Sequence, residues 1–246
     1  SDVVGVANAS ADFSWARSAP LISKANIATK GLDFSTLLGP VTGFTGDITL
    51  DDVLLVRTAG VQTIKIGQFD PGLPITEGVV QFALPGNNSL RLVDATWPFA
   101  DGKLSVRPAT WAFRDGDQSF AIDVEDVDLA KLLRLTEVPN LEIDGRVSGV
   151  FPIEVREGNV EIVNGRLKAR EGGGMIRYTG PNSAPVPPLK GLRGSVQQSI
   201  FRSSAPAGAD LAIEALRALE YKILEVTVNG RLTGELLVGV ILEGAN

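Results

Sequence analysis

Short runs of alternating apolar and polar residues, cut by turn dipeptides, recur along almost the whole of this 246-residue chain. Gln62 to Phe69 sets Ile64 and Ile66 against polar neighbours, and Asp70-Pro71-Gly72 ends the run. Gly78 to Leu84 puts Val80, Phe82 and Leu84 at spacing two, Pro85-Gly86-Asn87-Asn88 turns the chain, and Leu90 and Leu92 share a face of the next run. Side chains two apart point the same way only in extended backbone. Such runs at intervals of about 8 to 12 residues predict an all-β domain. Phe13 with Trp15, the segments Ile22 to Ile27, Gly43 to Ile48 and Val53 to Arg57, and the run Phe120, Ile122, Val124 fit the same pattern. A short helical turn is expected at Ser35 to Leu38, before the breaker Gly39-Pro40.

The richest stretch runs from Val124 to Tyr178. Leu129, Leu132 and Leu133 fall on one helical face over Asp128 to Leu135, with Asp128 as the N-cap, because its carboxylate can accept from the free amides of the first turn. Pro139 ends any helix. Asp144-Gly145 and Asn164-Gly165 tolerate positive φ and predict two-residue hairpin turns. Glu157-Gly158-Asn159 predicts another. Pro152, which cannot donate to a ladder, places its strand at an edge or a bulge. Asp101-Gly102-Lys103-Leu104, Asp144-Gly145-Arg146-Val147, Asn164-Gly165-Arg166-Leu167 and Asn229-Gly230-Arg231-Leu232 repeat one form, acid or amide, Gly, base, apolar. Their irregular intervals suggest repeated hairpins rather than a strict solenoid. Prolines 181, 185, 187 and 188 mark an extended loop. Ala209 to Tyr221 carries Leu211, Ala215, Leu216 and Leu219 on one face and is the clearest helical pattern. Ile223 to Val228, a turn at Asn229-Gly230, and Arg231 to Leu242 then predict a final hairpin. The expected organisation is a β-rich segment over 1–180, a Pro-rich loop over 181–191, and a helix plus hairpin over 192–246 completing the same domain.

The chain has no His and no Cys. That excludes histidine triads, histidine-ligated metals, thiolate chemistry and disulfides. A net charge of −6 and the lack of a basic cluster argue against nucleic acid as a partner and against charge-driven adhesion to anionic membranes. No apolar run approaches the roughly 20 residues that cross a bilayer. With no initiator Met and no signal peptide, the chain is expected to be a piece of a longer protein.

Four constellations invite chemistry. Gly172-Gly173-Gly174 beside Arg170 and Arg177 could cradle phosphate, but it lacks the Lys-Ser/Thr ending, so a glycine bulge is expected. Asp115, Asp117, Asp123, Glu125, Asp126 and Asp128 lack the spacing of a calcium loop and fit a solvated face with a helix cap. Nothing singles out a carboxylate pair for glycoside hydrolysis. Ser195, Ser199, Ser203 and Ser204 have no nucleophile elbow and no general base. No catalytic residue, metal ligand or cofactor is therefore assigned. Gly78 to Leu84 and Leu236 to Ile241 are apolar on both faces. Two readings stay open: a filled core, or a sheet with one face lining an apolar groove.

The segment LEIDGRVSGVFPIEVREGNVEIVNGRLKAREGGGMIRY, preceded by VDLAKLLRL and followed by ALRALEYKILEVTVNGRLTGELLVGVILEGAN, resembles the C-terminal region of the YdbH family. These are AsmA-like envelope proteins of Gram-negative bacteria, also labelled "dicarboxylate transport". The resemblance is most specific over residues 124–178 and 209–246. It implies a mainly β fold, an extended twisted antiparallel sheet curled into an apolar groove with two or three short helices. It implies a non-enzymatic role in carrying phospholipid across the periplasm, an inner-membrane anchor on the full-length protein, and a small outer-membrane lipoprotein as partner through β-strand addition. Val80, Phe82, Leu84, Leu90, Leu92, Leu236, Val238 and Val240 are the expected groove lining. A scaffolding β-domain and a dicarboxylate-binding module using Arg170, Arg177 and Arg193 are the competing expectations.

Overall fold

The computed structural model describes residues 3–113, 116–135, 140–180, 196–201, 218–232 and 236–245. It is mainly β. The strands are β1 (Val4–Ala16), β2 (Ala19–Thr36), β3 (Gly39–Asp52), β4 (Arg57–Thr58), β5 (Gln62–Phe69), β6 (Ile75–Gly86), β7 (Ser89–Phe99), β8 (Gly102–Val106), β9 (Ala109–Ala112) and β10 (Gln118–Asp128). After the helix α1 (Leu129–Leu135) come β11 (Leu141–Ile143), β12 (Arg146–Arg156), β13 (Asn159–Ala169), β14 (Gly174–Tyr178), β15 (Val196–Phe201), β16 (Leu219–Arg231) and β17 (Leu236–Ala245). Two compact units emerge. Unit 1 holds Ser1–Pro98, Ser105–Phe120 and Val155–Gly158, and unit 2 holds the remainder.

Unit 1 is an antiparallel meander. Successive registers join β1 to β2, β2 to β3, β3 to β5, β5 to β6, β6 to β7 and β7 to β9. Reading across them, Thr29, Gly46, Ile64, Val80 and Ala95 stand in one row, and Gln62, Phe82, Leu92 and Ala109 in another. In β5 the alternation predicted from sequence is realised, with Gln62 and Ile64 buried and Thr63 and Lys65 exposed. Gly46 lets the rows close up, since a Cβ there would lie 2.6 Å from Ile64 Cγ2. Phe34 meets Phe44 edge-on at 5.6 Å. The Ser35 to Leu38 segment is not helical. It ends β2 and turns at Leu37-Leu38 into β3, because strand pairing supplies the backbone partners that an isolated helical turn lacks.

Unit 2 packs around Val124, Val127, Leu129, Val147, Ile176, Tyr221 and Leu224. Helix α1 starts as predicted, with Lys131 N–H donating to Asp128 Oδ1 at 2.8 Å. It is the one helix among the described residues, where the sequence suggests two or three. Of the predicted helix Ala209 to Tyr221, residues 209–217 lie outside the described residues, and Leu219, Glu220 and Tyr221 begin strand β16. Glu157-Gly158 turns as predicted, both residues at positive φ. Asn164-Gly165 and Asn229-Gly230 do not turn the chain. The first is a bulge inside β13, with Asn164 at φ 56°, and the second lies within β16. Asp144-Gly145 does not form a hairpin either; it connects β11, which pairs with β14, to β12. The Pro-rich loop over 181–191 lies outside the described residues.

Candidate functional site

The eight expected lining residues fall into two sets, one in each unit. In unit 1, Val80, Phe82 and Leu84 stand at spacing two along β6, and the register sets Phe82 opposite Leu92 of β7. Leu90, two residues before, faces Trp111 of β9. One side of β6 and β7 is thus apolar. Phe82 and Leu92 are nearly enclosed, at 8% and 6% exposure, while Val80, Leu84 and Leu90 are half-buried. The alternation in sequence groups Val80 with Phe82 and Leu84, and Leu90 with Leu92; the register joins the two groups. The alternation does not reveal that Ile64, Ala95 and Trp97 extend this face. Trp97 lies over Gly78, where any Cβ would collide with the indole. Its Nε1 is buried without a hydrogen-bond partner among the described residues. A buried unpaired donor carries a desolvation cost of about 1–3 kcal/mol.

In unit 2, Leu236, Val238 and Val240 face Gly230, Val228 and Val226 of β16. Leu236 is fully buried. Val240 packs on the core cluster, and Val238 is half-buried. Leu237 and Ile241 point the other way and are exposed. The stretch that reads as apolar on both faces therefore has one covered face and one open face.

The polar constellations resolve into internal structure. Gly173, at φ +66°, and Gly145 leave the room that Tyr221 fills; a Cβ on either would collide with it. The Tyr221 hydroxyl donates to the Asp144 carbonyl at 2.6 Å. Burial first, and the Asp144 charge second, push the Tyr221 phenol above its ordinary value. A Cβ on Gly174 would meet the Asp144 carbonyl and lie 2.7 Å from its carboxylate, so oxygens rather than a phosphate pocket surround the glycine run. The sequence pattern predicts Tyr221 at the end of a helix, whereas it lies in strand β16. The glycine run was the available signal of a large neighbour.

Glu125, Asp126 and Asp128 of the acidic cluster are ion-paired. Arg146 reaches Asp126 Oδ2 at 2.9 Å and donates to the Asp101 carbonyl at 2.8 Å. Arg170 meets Asp126 at 3.4 Å, and Lys103 meets Glu125 at 3.0 Å. Lys131 pairs with Asp101 and holds that carboxyl below the usual carboxylate range. Among the described residues no group of acids is arranged to hold a metal ion; Asp115 lies outside them. Arg177 is bound to Glu142 at 3.3 Å, beside a depression of about 210 Å³ that Asp144 also lines. Two carboxylates at that spot oppose a dicarboxylate ligand. Arg193, Ser195, Ser203 and Ser204 lie outside the described residues, as does the side chain of Ser199.

A family model described as "YdbH-like: Intermembrane phospholipid transport protein YdbH" matches residues 4–246. No curated protein and no solved structure matches the chain.

Proposed function

The chain belongs to the YdbH-like family, and on that premise we propose that it is a non-enzymatic segment of an envelope-spanning phospholipid transport protein. Val80, Leu84 and Leu90 in unit 1 and Val238 in unit 2, the half-buried members of the two sets, hold acyl chains against apolar sheet faces, with Phe82, Leu92, Leu236 and Val240 as the packed part of the same faces. The observation that carries this reading is the one-sided row in unit 1, where register joins Ile64, Val80 and Ala95 across three strands. Each methylene moved from water to such a wall gains about 0.8 kcal/mol. A partly covered acyl chain therefore needs no polar anchor.

The reading places the chain in the periplasm, with the full-length protein held in the inner membrane. A small outer-membrane lipoprotein joins a sheet edge by strand addition, its affinity supplied by main-chain hydrogen bonds. A scaffolding domain is the second reading. The near-complete burial of Phe82, Leu92 and Leu236 favours it, since a filled core carries no cargo.

Native mass spectrometry of protein purified from bacteria, with organic extraction, separates the two. Co-purifying phospholipid supports the carrier, and a clean apo mass supports the scaffold. Leu84→Asp and Val238→Asp, both at half-buried positions, are expected to abolish lipid retention with the circular dichroism spectrum unchanged. Unfolding of either variant would make that residue ordinary core.

A further inference from the structure

We propose that one end of unit 1 is a bilayer-contacting rim, in which Trp15, Leu21, Ile22, Leu54, Leu55 and Phe113 enter the surface of a phospholipid membrane. The proposal rests on the phospholipid reading above and names where unit 1 meets its lipid source or sink.

Three contacts gather these residues at the same strand ends. Val53 N–H donates to the Ser23 carbonyl at 3.2 Å, which sets the β3–β4 loop beside Leu21 and Ile22 at the start of β2. Gly86, at the β6–β7 turn, faces the Leu55 carbonyl and Cβ. Phe113 N–H donates to the Asn88 carbonyl of that turn at 2.7 Å. Trp15 belongs to the β1–β2 hairpin, just before its turn at Arg17-Ser18. The β1–β2 hairpin, the start of β2, the β3–β4 loop and the residue after β9 thus each display a large apolar side chain. Trp15 is 79% exposed and Leu54 65%.

The β3–β4 loop can leave water without stranding a backbone amide. Its amides are all satisfied from within the protein. Val53 N–H also meets Ser23 Oγ at 3.1 Å, Leu54 and Leu55 N–H donate to Asp52 Oδ1 at 3.0 and 3.1 Å, and Val56 N–H donates to the Val53 carbonyl at 3.3 Å. Water would satisfy these amides without help; an apolar medium would not, and there each unpaired backbone group is costly. Val56 sits at φ 51°, a strained position for a β-branched residue. The loop is therefore held in a demanding shape whose outcome is to push two leucines outward. Asp51 is neutralised by Arg57 at 2.9 Å. Arg17 at the neighbouring turn offers a cation at headgroup depth, and Trp15 beside it has the amphipathic ring that settles at a membrane–water interface.

The test is co-sedimentation of the full chain with vesicles of phosphatidylethanolamine and phosphatidylglycerol. Protein is expected in the vesicle pellet, and the double variant Leu54→Ser, Leu55→Ser is expected to lose affinity on the order of tenfold or more. Leu37→Ser is the control, because Leu37 is 70% exposed but lies in the β2–β3 turn at the opposite strand ends; it should bind as the parent does. Equal losses from both variants, or no binding by the parent, would overturn the rim. So would a concentration-dependent dimer abolished by the double variant, which would assign the rim to a second copy of the chain. Lipid extraction from the same protein preparation before vesicles are added separates the two readings. Extracted phospholipid without vesicle binding sinks the rim and leaves the carrier standing, whereas vesicle binding without extracted lipid does the reverse.

Discussion

Tyr221 in unit 2 and Trp15 in unit 1 are aromatic residues on long antiparallel strands, yet their surroundings are opposite. Tyr221 is wholly enclosed, its hydroxyl hydrogen-bonded to the Asp144 carbonyl and its phenol housed by glycines at 145 and 174. Trp15 is 79% exposed on a strand, β1, whose every residue is exposed. Around Tyr221, charges pair and apolar side chains meet. At the rim of unit 1, apolar side chains are turned out while the backbone beneath them is satisfied. Stability in unit 2 thus rests on side-chain packing, whereas in this part of unit 1 it rests on main-chain hydrogen bonding.

Truncation should expose the contrast most sharply. Tyr221→Ala is expected to cost about 3–5 kcal/mol through its cavity and the stranded Asp144 carbonyl, and Trp15→Ala to stay within about 0.5 kcal/mol. Urea unfolding followed by hydrogen exchange in β14 and β16 checks both, and equal costs would erase the distinction. Alkali should act on unit 2 next. Because folding raises the Tyr221 phenol, its neutral form is favoured in the native state. That contribution is complete below the unfolded tyrosine value near 10 and is lost as pH rises through the higher folded value. Thermal midpoints should therefore fall at high pH, and less steeply in Tyr221→Phe; an unchanged slope would count against it. The smallest effect belongs to Trp97 of unit 1. Removing its indole donor, unpaired among the described residues, in Trp97→Phe should leave the melting temperature unchanged or raise stability by up to about 1 kcal/mol. A clear loss would mean that the packing of the larger ring over Gly78 outweighs the cost of its buried donor.

Much of this was legible in the sequence, and the failures share a cause. Period-two patterns located β5, β6 and β7 and grouped Val80, Phe82 and Leu84. A repeat of two defines two faces but does not say which one is covered, so Ile241 could not be told from Val240 before the register was known. Glu157-Gly158 turns the chain as its sequence predicts, whereas Asn164-Gly165 and Asn229-Gly230 predict turns and lie inside strands. A two-residue turn and a bulge both need left-handed backbone, and Asn and Gly supply it equally. The segment ending at Tyr221 fits helical spacing, but Asp144 and the glycines around the ring are distant in sequence and fix it in a strand. The cap at Asp128 was predictable because its partner, Lys131, is three residues away. The rim was invisible because its members meet only through strand ends separated by dozens of residues.

The bulge in β13 has a consequence for how such strands find alignment. Long strands rich in Val, Leu and Ile can slide by two residues and keep every side chain on its proper face, so hydrophobicity alone does not reject the mistake. Here the Asn164 amide, displaced from the ladder by the bulge, is met by Asn229 Oδ1 at 2.6 Å. Gly149 lies so close to the Arg166 carbonyl that no side chain fits between them. A slipped β16 would leave that amide without its acceptor, and a slipped β12 would drive a side chain into the carbonyl. These small residues act as proofreading marks, so that an alignment error in one strand pair is rejected before it is copied to the next.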